Sequence, residues 1–307
     1  HSLMMPFLTL SIEDKTLIQQ YVFPSEMRIC DLSIMNLVCW QFLYNTEVAF
    51  YKNFLLFRFY SDGHLAYLVP VGNGNYKEVL SDMMEDAKQH GHPFLMLGVC
   101  EASFAMLDEA MPGYFYATSD RHYSEYIYSR QTLSTLAGKK LQAKRNFVNR
   151  FVNQYPNYQF SALTPNLFAQ CLELDSQWMK NKEFENEEER IDSQHERRAL
   201  ENAFKYWDHL SAQGGVLSID DEIVAFTYGS PINHDTFDVC VEKADTRYEG
   251  IFQTINRDFV RSLPEQYVHI NREEDMSIPG LRHSKLSYHP EILLHKYAVM
   301  TKHPLGM

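Results

Sequence analysis

The stretch from Ile270 to Pro290, INREEDMSIPGLRHSKLSYHP, sets three consecutive acids, Glu273, Glu274 and Asp275, ahead of Arg282, His283, Lys285, Tyr288 and His289. Ser277 can cap a helix opening near Pro279, and proline suits a first helical turn. On that helix Arg282 and Lys285 lie three apart on one side, with Tyr288 three further on. Two chemistries fit this inventory. One or two of the acids can neutralise Arg282 and Lys285 in an ion-pair knot. Alternatively, a carboxylate accepts a proton from an amine or hydroxyl nucleophile while a nearby cation steadies the oxyanion of a transferring acyl group, the base contributing typically about 10²–10⁴-fold. On the second reading Glu273, Glu274, Asp275, Lys285 and Tyr288 are the candidate catalytic groups, with Lys285 and Arg282 facing the developing charge. Side chains alternate along a strand, so the three acids are not expected to face one way. His283 and His289 complete no ligand triad, and no metal site is expected.

Two other segments are suited to anions. Arg247-Tyr-Glu-Gly250-Ile-Phe252 joins an expected strand to an expected helix. A glycine at such a turn exposes backbone N–H groups at the positive end of the helix dipole. The pattern resembles the R/Q-x-x-G-x-G/A pyrophosphate loop of the GNAT superfamily of N-acyltransferases, with Phe252 where Gly or Ala stands. Arg247, Gly250 and Arg282 are therefore candidate donor-binding residues. GKKLQAKRNFVNR, Gly138 to Arg150, carries Lys139, Lys140, Lys144, Arg145 and Arg150 without an acid. A solvated helix face would account for it. In a chain of net charge -12, five clustered positives fit a phosphate or nucleic-acid backbone better. The same acidic balance excludes broad, non-specific nucleic-acid binding.

Several elements must position these residues. Ser11 to Asp14 reads as a capping box for a helix towards Phe23, and Asp31 to Tyr44 has helical spacing. Phe54–Tyr60 and His64–Pro70 around Ser61-Asp-Gly63 form a predicted hairpin. A helix from Tyr76 to His90, a strand to Val99, a helix from Glu101 and an extended run from Tyr114 to Tyr128 follow. The second half repeats the order. Helices are expected over Thr132–Gln154, Pro165–Lys182 and Arg190–Gln213, the last stopped by Gly214-Gly215. A hairpin over Val216–Tyr228, a strand at Thr236–Val241, a helix from Gly250 to Leu263 and a strand at Tyr267–Asn271 complete it. This repetition points to two similar α/β units, divided at residues 1–120 and 121–307, with the active cleft in the second.

Composition bounds the rest. At 307 residues and 45% hydrophobic, the chain can bury a substantial core. No run approaches the roughly 20 apolar residues of a membrane span, and the opening lacks the basic leader of a secretory signal, so a cytoplasmic location is expected. Five scattered cysteines without a C-x-x-C pair read as reduced thiols.

Taken together, CDLSIMNLVCW, YIYSRQTLSTLAGKKLQAKRNFVNRF, VEKADTRYEGIFQTINRDF and the Ile270–Pro290 stretch resemble the phosphatidylglycerol lysyltransferase C-terminal-domain family over nearly the whole chain. The resemblance implies an α/β (α+β) fold of two tandem GNAT-like units, each a mixed, mostly antiparallel sheet flanked by helices and akin to Fem-type aminoacyltransferases. It implies an acyltransferase moving an aminoacyl group from aminoacyl-tRNA to an amine or hydroxyl acceptor, a small molecule or cell-envelope precursor, with no separate cofactor. It draws attention to Arg247, Gly250, the acids at 273–275, Arg282, Lys285 and Tyr288, and to Lys139, Lys140, Lys144 and Arg145 for tRNA. Two alternatives remain: an acyl-coenzyme A donor acting on a small amine, and a non-catalytic protein that binds a ligand or partner.

Overall fold

A computed structural model describes residues 4–302. Two sheets organise them. The first runs in the order Leu8–Thr9, Glu47–Tyr51, Phe54–Ser61, His64–Tyr67, Leu95–Val99, Tyr297–Thr301 and Phe115–Ser119, with Val71–Gly72 paired to Phe54–Ser61. The second runs Ile292–Leu294, Glu125–Ser129, His269–Glu274, Thr236–Ala244, Glu222–Pro231, Gln213–Ile219 and Gln159–Ala162. Both predicted hairpins are present, turning at Ser61–His64 and Ile219–Glu222.

The order shows one crossing of the chain into the second sheet and one strand that returns to the first. Glu125–Ser129, which follows the strands of the first sheet in sequence, inserts into the second between Ile292–Leu294 and His269–Glu274. Tyr297–Thr301 returns the other way and inserts between Leu95–Val99 and Phe115–Ser119. A single boundary at 120/121 therefore separates the two sheets except for this last strand. The extended run Tyr114–Tyr128 is likewise split by a 3₁₀ turn at Arg121–Tyr123 into strands that serve different sheets.

Between the sheets lies the helix Ile34–Cys39, whose Ser33 cap accepts from the Asn36 amide at 3.2 Å. Its Ile34 and Met35 share one core with Phe57 and Leu68 of the first sheet and Phe226 and Tyr228 of the second. The outer faces have their own cores, under Tyr76–Gln89 on the first sheet and under Ile251–Ser262 on the second. Among the described residues no helix is long and apolar enough to cross a membrane.

Several expected helices differ in outline. The basic segment is interrupted: Arg130–Thr135 ends at Leu136, and the chain passes through Gly138 before Gln142–Gln154 begins. Both residues have positive φ, 52° and 93°, which a helix cannot accommodate. The helix expected over Arg190–Gln213 spans Glu187–Lys205, and Gly214-Gly215 lie inside the strand Gln213–Ile219 rather than stopping a helix. A Cβ on Gly215 would stand 2.4 Å from the Phe160 ring, so close packing, not a turn, requires this glycine. Ser277 does not cap Pro279–Ser287; Ile278 holds that position without a side-chain bond.

The returning strand makes a direct prediction. Phe115–Ser119 pairs with Tyr297–Thr301 and, among the described residues, with no other strand. Ending the chain after Lys296 should therefore abolish amide hydrogen-exchange protection in Phe115–Ser119 and weaken it in Leu95–Val99, while Gln213–Pro231 stays protected. Full protection of Phe115–Ser119 in that truncation would contradict the strand order.

Candidate functional site

A cavity of about 560 Å³ opens between the two units. Its apolar wall comes from the first sheet, through Phe57, Phe59, Leu68 and Leu97, and from Leu37 and Trp40 at the inter-sheet helix. Its polar end is supplied by Asp31, Glu273, Glu274 and Lys296. The cavity is thus built where the chain crosses between the sheets, and not at the Gly250 turn of the second unit.

The crossing is held by charge. Glu125, the first residue of the strand by which the chain enters the second sheet, is fully buried; Lys296 immediately precedes the strand that returns to the first and is 8% exposed. Lys296 Nζ lies 2.7 Å from Glu125 Oε2, 3.1 Å from Glu274 Oε1 and 3.5 Å from Asp31 Oδ2. Glu125 Oε1 accepts from the Cys30 amide at 2.8 Å and from Asn271 Nδ2 at 2.7 Å. Burial works against the Lys296 charge, but Asp31 and Glu125 push its pKa well above the ordinary lysine value. Burial raises Glu274 to about 7, partly opposed by Lys296. Three carboxylates thus share one ammonium.

Backbone geometry brings two adjacent acids to this wall. Glu273 has φ 63° and sits in a register shift between Asn271 and Glu274. In a regular strand successive side chains point to opposite faces; this bulge turns both Glu273 and Glu274 onto the cavity. The Glu273 amide donates to Asn271 Oδ1 at 2.7 Å, fixing the bulge. Asn36 Nδ2 donates to Glu273 Oε2 at 2.8 Å and to Asp238 Oδ2 at 3.0 Å. Burial and the adjacent Glu273 push Asp238 well above the usual carboxylate range, favouring its protonated form.

The remaining predicted residues lie elsewhere. Asp275 is fully buried and accepts from Arg282 Nε at 2.8 Å, Arg121 Nη1 at 3.2 Å, Tyr126 Oη at 2.5 Å and the Ser277 amide at 2.8 Å. Burial alone would raise its pKa, but Arg282 and Tyr126 bring it well below the usual range. This half of the acidic run forms the ion-pair knot. Lys285 is also buried, and its ammonium donates to the carbonyls of Arg272 and Glu274, bracing the strand from behind. Burial, then Arg272, lower it to about 8. Tyr288 packs edge-on to Tyr128 with Lys144 Nζ 4.5 Å above its ring. None of Asp275, Arg282, Lys285 and Tyr288 lines the cavity.

At the glycine turn, Arg247 is exposed and held by Asp245 at 2.7 Å. Gly250 has φ 83°, and a Cβ there would lie 2.3 Å from the Phe147 carbonyl oxygen. The glycine lets helix Ile251–Ser262 start hard against Gln142–Gln154. Arg145 donates to the carbonyls of Leu136 and Gly138, closing the break between helices. Lys139 and Lys140 are exposed.

Sequence reasoning missed Lys296, Glu125 and Asn36. Lys296 stands alone in LLHKYAV and Glu125 alone in an aromatic run, so neither carries a local pattern. Cys30, Asp31, Glu125 and Glu274 also offer donor atoms within 4.8 Å of one another, but Lys296 already serves as the cation for the three acids.

Known proteins share this framework. A conserved protein of unknown function from Bacteroides thetaiotaomicron VPI-5482 is 46% identical, with 97% of this chain and 100% of that one covered at a TM-score of 0.92. L-PGS from Bacillus licheniformis superposes at a TM-score of 0.66 over 94% of this chain and 91% of that one, at 17% identity, a likeness of fold. An uncharacterised protein of Mycoplasmoides gallisepticum is 26% identical over 181 residues, which span 57% of this chain and 56% of that protein. The fold is the expected α/β arrangement of two mixed sheets, each flanked by helices. Residues 24–300 match the family described as phosphatidylglycerol lysyltransferase, C-terminal. With nine-tenths of its length inside that match, the chain belongs to this acyltransferase family.

Proposed function

We propose that the chain transfers an aminoacyl group from aminoacyl-tRNA to an amine or hydroxyl acceptor, and that the cavity at the strand crossing is where the transfer occurs. The observation that carries this reading is Glu274 beside Lys296, at 3.1 Å, at the polar end of a cavity whose opposite wall is apolar. The acceptor nucleophile attacks the ester carbonyl. Glu274 takes its proton, and Lys296 donates a hydrogen bond to the oxyanion that forms. Collapse breaks the ester bond, and the proton passes from Glu274 to the departing ribose oxygen. Glu273, held by Asn36, shapes the same wall. Lys296 takes the electrostatic role that sequence spacing suggested for Lys285.

Donor choice rests on two features. Exposed Lys139 and Lys140 suit a phosphate backbone. The Gly250 turn, the segment suited to coenzyme A, is packed against Phe147, and its arginine is paired with Asp245. Neither feature favours an acyl-coenzyme A donor.

Glu274 can act as base only when ionised, so transfer should increase as pH rises through about 7, and Glu274→Gln should lower the rate by about 10²–10⁴-fold with the fold intact by circular dichroism. Undiminished transfer by that variant would remove Glu274 from the mechanism. Reversing two exposed charges, Lys139→Glu with Lys140→Glu, should weaken tRNA binding and flatten its dependence on salt by roughly one to two units of log–log slope. Unchanged retention on tRNA, alongside stabilisation by coenzyme A in thermal unfolding, would transfer the donor role to coenzyme A.

A further inference from the structure

The cavity also bears on which acyl group is carried, an inference that rests on the transfer reading above. We propose that it selects an aminoacyl group with a large branched-aliphatic or aromatic side chain: the α-ammonium meets Glu273 and Glu274, and the side chain lies on the apolar wall.

Three observations converge. The polar end has too few cations for its acids. Asp31, Glu125 and Glu274 share Lys296, and Glu273 adds a fourth carboxyl group whose bond comes from the neutral Asn36 amide. An ammonium ion entering here finds acceptors already desolvated and fixed, where charge-assisted bonds are strong. The opposite wall is of another kind. Phe57 is fully buried, Leu68 and Leu37 nearly so, and with Phe59, Leu97 and Trp40 they form a surface without a charged group. A second ammonium ion laid along that surface would lose its hydration with no partner among these six residues. Two further acids that line the cavity, Asp62 and Asp120, are solvent-exposed and so offer a weaker, hydrated attraction. Size makes the third point. About 560 Å³ lies in the range of pockets that enclose whole small ligands, and a glycyl or alanyl group would leave most of the apolar surface uncovered. Gly98 preserves the space: with φ 66°, a Cβ there would lie 3.1 Å from Ile29 and 3.2 Å from Asp31.

Amino-acid amides test this on the full chain, because they keep the α-ammonium and carbonyl of an ester donor without a carboxylate. In calorimetric titrations leucinamide and phenylalaninamide should bind at least about tenfold more tightly than alaninamide and lysinamide, the size of effect expected for a buried apolar group. N-acetylleucinamide, which lacks the charge, should not bind. Glu274→Gln should weaken all the amides together. Leu97→Asn should erase the preference for leucinamide over alaninamide and leave the requirement for the amine. Tightest binding of lysinamide, or equal binding of leucinamide and alaninamide, overturns the side-chain assignment and leaves transfer standing. Absence of binding by every amide while aminoacyl-tRNA still supports transfer overturns this inference alone. Absence of both binding and transfer overturns the two readings together.

Discussion

The ion pair between Glu125 and Lys296 is the constraint on which the rest depends. Each member sits where the chain passes from one sheet to the other, and their contact at 2.7 Å closes the crossing. A carboxylate at zero exposure requires a cation and further donors; Lys296, Asn271 and the Cys30 amide supply them. The pair thereby fixes Lys296 at the cavity rim, within reach of Glu274. Placement of the ammonium is a consequence of that contact.

The second constraint is conformational. Left-handed backbone at Glu273 is uncommon for a residue with a side chain, and it persists because Asn271 and Asn36 hold it from two directions. Without the bulge one of the two acids would turn towards Arg272 and the outer core. With it, a three-residue run performs two tasks. Glu273 and Glu274 face the cavity, while Asp275 anchors Arg121 and Arg282 and fastens the following helix to the strand. The ion-pair knot and the cavity-facing acids are neighbours in one segment.

The resulting cavity combines an electrostatic end with an apolar body. Burial raises Glu274 to about 7, so its proton is exchangeable near neutrality, and the same burial strengthens the attraction of Lys296 for negative charge. The apolar wall belongs to the first sheet and the acids 273 and 274 to the second, so neither unit contains the cavity by itself.

Much of the architecture was legible in the chain alone. Alternating hydrophobic runs around Ser61-Asp-Gly63 and Asp220-Asp-Glu222 specified both hairpins, and Ser11 with Asp14 specified the first cap, because these signals are local. The acids at 273 and 274 were legible as well, since their type and crowding are visible without coordinates. Lys296 was not: its partners Asp31 and Glu125 are far away in sequence, and only the crossing of the chain between sheets brings them together. Nor could spacing reveal that Lys285 braces backbone carbonyls while Gly250 admits a neighbouring helix. Sequence determined which elements form and which side chains carry charge, because periodicity and turn chemistry act over a few residues. Tertiary structure decided which charges face a shared space, because that depends on burial and on contacts between chain segments more than a hundred residues apart.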